Sequence, residues 1–442
     1  MKMLLRLLLS TVILLTIAAC GSNDNSNGDG SNSGDSADEK TTVVFMSRNS
    51  GADPMAEVYE KQIDEFMKKN PDIEVQNDSV FEESAYNNKL KVSISTGDTP
   101  SVFYYPGIAG LKEWAENDVI LNVEDILAND EEWSSRFIDG ALETYRLDDY
   151  GVEGIYGIPN ELNVDAIFYN KKLFEQAGIT EEPKTMDEFY EAMDKLNSAD
   201  ITPIGVGGKA TWVMGHIFNN ILYKQIGIDG VTQLGIGEKK WTDPDVVEAL
   251  RITKELKDKE AFAEGFEGMD FNTQMNQFLT GEAAMISHSS PVISESIHSS
   301  ESEFKEDFSF FPFPYFSDKS EYEDTHVVYT SNLLLSGTMD EAEEEAAIKF
   351  VKYLTTNEAI QERMDVMRVS PYKDIEPSSE APQIFKDMID FTNTLSETGG
   401  EYFDYSPSAS LVNTSRNAIL DMMLSASPEE TAQRIQDSLD SE

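Results

Sequence analysis

From Thr41 onward, short apolar runs of strand length alternate with stretches of helical periodicity, and that alternation confines the chain to an α/β architecture. The run Thr42-Val43-Val44-Phe45-Met46 is nearly unbroken in its apolar character, as expected of a strand covered on both faces. Met55, Tyr59, Ile63, Phe66 and Met67 then recur on one helical face, and Asn70-Pro71 ends that helix before Ile73-Glu74-Val75 resumes a strand. Tyr86, Leu90 and Ile94 stripe a second helix that Gly97 caps. Val102 to Tyr105 reads as a strand, and Leu111 with Trp114 lies on a third helix, so a first lobe of order βαβαβα is expected.

A second lobe begins near Asn163. Ala166 to Tyr169 predicts a strand, and Thr185 with Glu188 forms a capping box ahead of a helix bearing Phe189, Met193 and Leu196. Asp243-Pro244 opens another helix, and Ala283 to Ser287 follows Gly281 as a strand. The aromatic, proline-interrupted run Phe308 to Phe316 suits neither a helix nor a central strand and is expected to be a crossing segment. Val327 to Leu335 reads as a strand, Asp340 to Leu354 as a helix, and Ser427-Pro428-Glu429-Glu430 caps a terminal helix. A length of 442 residues suits two or three domains, and no internal repeat is evident.

Charge narrows the partners. Lys and Arg total 34 against 82 Asp and Glu, and the net charge of -48 repels nucleic acid phosphates and anionic lipid headgroups over most of the surface, so no nucleic acid partner is expected. The one cysteine, Cys20, excludes an internal disulfide framework and any multi-cysteine zinc or iron–sulfur site.

Lys2 and Arg6 precede the apolar run Leu7 to Ala19, which suits the core of an export signal better than a membrane span. Residues 1–19 are therefore expected to be removed. Ile17-Ala18-Ala19-Cys20-Gly21 resembles the bacterial lipobox, in which cleavage before the cysteine frees it for lipid attachment. Seventeen of residues 21–40 are Gly, Ser, Asn or Asp, which makes 20–40 a lipidated cysteine followed by a flexible tether reaching about 25 Å. Asp24 to Gly30 lacks the ligands of a calcium loop at its third and fifth positions, Ser26 and Gly28.

Four segments in order resemble the extracellular solute-binding proteins of sugar ABC transporters, the group containing maltose-binding protein. Gly97-Asp98-Thr99-Pro100-Ser101-Val102 resembles that family's Gly-Asp-Ala-Pro-Asp-Val step, and Ile158-Pro159 to Tyr169-Asn170-Lys171-Lys172-Leu173-Phe174 its crossover strand. Glu182 to Glu188 resembles the Pro-Lys-Thr-Trp-Asp-Glu turn, and Phe278 to Met285 the Phe-x-x-Gly-x-Ala-Ala-Met segment. The resemblance covers nearly all of 41–442. It departs at Ser101, where the family often has a ligand-contacting aspartate, and at Ser289-Ser290-Pro291, which replace a Gly-x-Trp that supplies a stacking ring. Val327-Val328-Tyr329 occupy a usually glycine-rich stretch and would narrow the cleft.

The resemblance implies a two-lobed, type II periplasmic-binding-protein-like fold with hinge crossings near Pro159, Phe313 and Ser370. The N-terminal lobe would hold 41–162 and 314–369, and the C-terminal lobe 163–313 and 370–442. A sugar site needs flat rings for C–H faces and planar polar groups for paired hydroxyls. The resemblance points to Arg48 and Asn49 after the first strand, Glu82 and Glu83 after the second, and Tyr104-Tyr105 after the third; each is equally compatible with a solvated loop. Strand periodicity puts Asn163 and Asp165 on one side of the crossover. Trp212 at a helix start with His216 four residues on suits stacking plus a hydroxyl bond, although core packing of Trp212 is the competing reading. Ser289, Tyr329, Phe403 and Tyr405 complete the candidate set. His216 and His288 fall in cleft-facing segments, His298 and His326 read as surface residues, and no His-x3-His metal pair exists.

Two enzyme-like signals weaken on inspection. Gly205-x-Gly207-x-x-Ala210 matches a dinucleotide fingerprint, but Pro203 is expected to break the preceding strand and no parallel return strand is evident. No local motif singles out a catalytic acid and nucleophile among the carboxylates. The expectation is a monomeric, non-enzymatic receptor without cofactor or metal, lipid-anchored through Cys20 at the outer face of the cytoplasmic membrane of a Gram-positive type bacterium. It would bind a sugar, an oligosaccharide above all, and deliver it to the separate permease subunits of an ABC transporter. The rivals are a receptor for a non-sugar solute such as a polyamine or glycerol phosphate, for which Arg48, Lys209, Arg368 and Arg416 are the candidate phosphate partners, and a secreted glycan-cleaving enzyme.

Overall fold

The computed structural model describes residues 40–105, 108, 110–138, 140–373, 375–402 and 409–441. Residues 1–39, which hold the expected export signal, Cys20 and most of the expected tether, lie outside the described residues, as do Phe403 and Tyr405.

The strands are β1 (Thr41–Met46), β2 (Ile73–Asn77), β3 (Val102–Phe103), β4 (Ile158–Asn170), β5 (Thr202–Ile204), β6 (Ala283–Ser289), β7 (Phe308–Phe311), β8 (Thr325–Leu335) and β9 (Glu397–Gly399). They run in the order β2-β1-β3-β8-β4-β6-β5, with β7 paired to β4 and β9 to β8. β1 lies parallel to β2 and β3, as the βαβαβ order requires, and β5 lies parallel to β6. Two long strands join the halves of this arrangement. β4 pairs antiparallel with β8 over Ile158 to Val164 and then passes to β6 and β7. A register shift between Pro159 and Glu161 marks its start, where Pro159 has no N–H to give a ladder.

All thirteen residues of β4 are buried, and alternation divides its apolar side chains between two cores. Val164, Ala166 and Phe168 join a core containing Phe45, Phe66, Phe103 and Phe350. Ile167 and Tyr169 join another containing Phe189, Phe218, Trp241 and Met285. The helix Met55–Lys69 buries Met55, Tyr59, Ile63 and Phe66 as its periodicity requires, and Gly97 adopts φ 81° to end the helix Glu83–Thr96. The capping boxes at Thr185/Glu188 and Ser427/Glu430 both form.

Four local expectations are corrected. Phe308 to Phe311 is a strand, because its backbone completes a ladder with Ile167 to Asn170 before Pro312 stops it. The strand expected over Val102 to Tyr105 ends at Phe103. Pro203 sits within β5, which lies at the end of the sheet order and pairs through Thr202 and Ile204, so the missing N–H costs no ladder bond. His326 is 9% exposed rather than on the surface, covered by Phe391 edge-on at 5.2 Å.

Candidate functional site

β4, β6 and β8 converge beside the N-terminal half of the helix Thr211–Gly235, and polar side chains gather there in an otherwise apolar interior. Asp165 of β4 pairs through Oδ2 with His216 Nδ1 at 3.0 Å, and the same oxygen accepts from Asn220 Nδ2 at 3.1 Å. Asp165 Oδ1 is buried with no hydrogen-bond partner among the described residues. Burial opposes the charged imidazolium of His216, but Asp165 and Glu401 outweigh it and push the pKa up to about 9. His216 is thus a cation at neutral pH.

His288 of β6 lies parallel to His216, ring centroids 6.3 Å apart. Burial, aided by the neighbouring imidazolium, holds His288 below the ordinary histidine range. Its Nδ1 lies 2.8 Å from the Ser289 backbone nitrogen and 3.1 Å from the Ser289 carbonyl oxygen, and its Nε2 is buried with no partner among the described residues. Tyr329 of β8 faces the His216 ring at 6.3 Å and hydrogen-bonds Ser289; burial, then the Asp165 charge, keeps its hydroxyl protonated. Trp212 closes the group. It is half-buried and meets His216, His288 and Phe271 at ring distances of 5.4, 5.8 and 5.2 Å.

The arrangement therefore brings together Asp165, Trp212, His216, Ser289 and Tyr329 from separate parts of the sequence. Asn163 stands opposite Tyr329 in the β4–β8 ladder and donates to Ser331 Oγ at 3.0 Å. The remaining described candidates have local roles. Asn49 donates to Asp53 at 3.0 Å, Glu82 caps the helix Glu83–Thr96 through the N–H groups of Ser84 and Ala85, and Tyr105 packs on Trp114 at 4.6 Å. Ser101 is buried; it accepts from the Val44 N–H and donates to Glu343. Asn219 and Asn220 escape the sequence reading although both lie one helical turn from residues in the group. Asn219 holds the Tyr402 N–H at 2.6 Å, and Tyr223 donates to the Gly400 carbonyl at 2.5 Å, so this helix also docks the segment leading to Phe403.

Two earlier readings change on structural grounds. The Gly205-x-Gly207 pattern does follow a strand with a parallel partner, but an added Cβ at Gly207 would come within 2.6 Å of the Asp270 carbonyl and one at Gly208 within 2.8 Å of Glu267, so these glycines serve backbone packing. Arg368 is 3% exposed and engaged by Asp53, Glu161 and Glu295 at 2.8, 3.1 and 2.8 Å, which withdraws it as a phosphate partner. Among the described residues no group of three or more His, Cys, Asp or Glu could hold a metal, and no helix is long and apolar enough to cross a membrane.

The sequence matches the family of bacterial extracellular solute-binding proteins over residues 49–361. The multiple sugar-binding protein of Streptococcus mutans is 24% identical over 344 residues, which cover 75% of each chain. The maltotriose-binding protein of Pyrococcus abyssi is 24% identical over 315 residues, 68% of this chain and 60% of that one. Among solved structures, a chitin oligosaccharide binding protein superposes with TM-score 0.81 at 26% identity, covering 91% of this chain and 99% of its own. Maltose-bound MalE3 of T. maritima shares the fold at TM-score 0.72 and 19% identity, over 90% and 99% of the two chains.

Proposed function

The chain belongs to the bacterial extracellular solute-binding protein family, and we propose that within it this protein is the sugar receptor of an ABC importer, with an oligosaccharide as ligand. The observation that carries the reading is the convergence of a partly exposed ring, Trp212, with the polar groups of Asp165, His216, Ser289 and Tyr329. A ring covers a sugar's C–H face while fixed donors and acceptors take its hydroxyls. The names of relatives, which bind multiple sugars, maltotriose or chitin oligosaccharide, support the same class.

Lobes comprising 41–162 with 314–369 and 163–313 with 370–442 close on the ligand by hinge motion, and the closed form docks separate permease subunits. The protein acts as a monomer and performs no covalent chemistry. After removal of residues 1–19, a lipid on Cys20 holds it at the outer face of the cytoplasmic membrane, in a Gram-positive type of cell; the resemblance adds Phe403 and Tyr405 as further ligand contacts.

Thermal unfolding of residues 41–442 against a panel of mono- and oligosaccharides tests the reading. A ligand at about 100 times its Kd adds roughly 2.7 kcal/mol, a readable rise in midpoint. A rise confined to one glycan series supports the sugar class. A rise with polyamine or glycerol phosphate and none with any glycan overturns it.

A further inference from the structure

A cavity of about 260 Å³ lies away from Trp212, between the end of β7, the start of β8, the loop before the helix Met186–Ser198 and the end of the helix Gln383–Thr392. Its apolar lining includes Phe311, Phe313 and Phe391. Glu182, Glu323 and Asp324 are its acidic residues, against one lining cation, Lys184. His326 lines it too, 9% exposed, and neither ring nitrogen has a hydrogen-bond partner among the described residues. Alternation along β8 places His326 on the face opposite Tyr329, so the cavity is separate from the cluster around Trp212.

The acidic wall is held in place. Lys224 donates to the carbonyl oxygens of Tyr322, Glu323 and Thr325 at 3.2, 2.8 and 2.6 Å, and the Tyr322 ring sits over Gly227, where a Cβ would come within 2.5 Å. Glu182 is fixed from the other side by the Tyr169 hydroxyl at 2.7 Å. Burial, then the Lys224 charge, drives the His326 pKa down to about 3, so the imidazole is neutral and offers one acceptor nitrogen. The cavity thus combines ring faces, carboxylates and a largely buried imidazole whose acceptor nitrogen has no partner among the described residues. A cation carrying both an N–H and an apolar body satisfies all three, whereas an anion or a quaternary ammonium does not.

We propose that this cavity is a second binding site, for a small amphipathic amine in its ammonium form, with the apolar body on Phe311, Phe313 and Phe391 and the ammonium between His326 and the carboxylates of Glu182 and Asp324. Titration calorimetry of the mature chain with phenethylammonium, against neutral 2-phenylethanol, tests it. Binding of the ammonium at millimolar concentration or below, weakened roughly fivefold or more in the alcohol and in the Glu182→Gln/Asp324→Asn variant, is the expected result. Both substituted residues are exposed, so the variant should keep its unfolding midpoint. Affinity should be unchanged in Trp212→Ala. Absence of binding, equal binding of alcohol and ammonium, indifference to the double substitution, or loss with Trp212→Ala would each overturn the proposal. Sugar titration of the same samples reads the other site independently.

Discussion

Asp165 and His216 form a buried ion pair, 2% and 7% exposed, that fastens the helix Thr211–Gly235 to strand β4 beside the half-buried ring of Trp212. Asn220, one turn after His216 on the same helix, donates to the same carboxylate oxygen. One anion thereby fixes both the orientation and the charge of the imidazole.

The pair makes stability depend on pH in one direction. The folded pKa of His216 is raised from 6.5 to about 9, so the stabilisation is complete below about pH 6.5 and is lost as pH rises through 9. A shift of that size corresponds to a few kcal/mol, on the order of 3. The stability difference between wild type and His216→Asn in urea should be greatest near pH 6 and narrow to the pH-independent loss of the ring contacts above about pH 9.5. A constant difference across that range would exclude protonation as its source.

Trp212→Ala should weaken glycan binding by about 1 kcal/mol or more, roughly fivefold, through loss of ring stacking. The side chain is only half-buried, so the fold should survive, with some loss of midpoint from its contacts to His216, His288 and Phe271. Titration calorimetry with the glycan that most raises the unfolding midpoint is the check; unchanged affinity would remove Trp212 from the site.

Features written locally were legible in the sequence. The Thr185/Glu188 capping box, the left-handed Gly97 and the unbroken apolar β1 depend on neighbours a few residues away, and each forms. Asp165 follows from strand periodicity along the crossover, Trp212 and His216 from their spacing at a helix start, and Ser289 and Tyr329 from places where the chain departs from the family pattern; the five do meet. Features decided by distant partners were hidden. Phe308–Phe311 becomes a strand only because β4 offers it a ladder, and His326, preceded by Glu323-Asp324, is buried only because Phe391 arrives from a later helix. Asn49 and Glu82 have the chemistry of ligand groups, yet their hydrogen bonds close on Asp53 and on a helix end; side-chain chemistry alone does not distinguish a cap from a contact.

Membrane attachment should rest on one atom, the Cys20 sulfur. The net charge of -48 disfavours an anionic membrane surface, so no electrostatic contact replaces the lipid. Cys20→Ser should move the protein from the washed membrane fraction to the medium or the soluble fraction. Retention on the membrane after washing would refute the lipid anchor.

Arg368 should be the most costly single charge to remove. Its guanidinium is 3% exposed and binds Asp53 ahead of the first helix, Glu161 at the start of β4, and Glu295 in the segment after β6, so one side chain ties three parts of the chain. Arg368→Met leaves two largely buried carboxylates, Asp53 and Glu161, without this cation, a loss of about 3 to 5 kcal/mol at pH 7. Burial already raises the Glu161 pKa, with Arg368 opposing it. Without the arginine the folded-state pKa of Glu161 should rise further, and a group with a raised folded pKa loses stability as pH rises through that value. The deficit of the variant should therefore shrink between about pH 7 and pH 5. Arg368→Lys, which restores the charge but not the fork, should recover only part of the loss. Denaturant unfolding at the two pH values reads wild type and both variants, and an Arg368→Met protein as stable as wild type at pH 7 would show that apolar packing can replace the charged contacts at this junction.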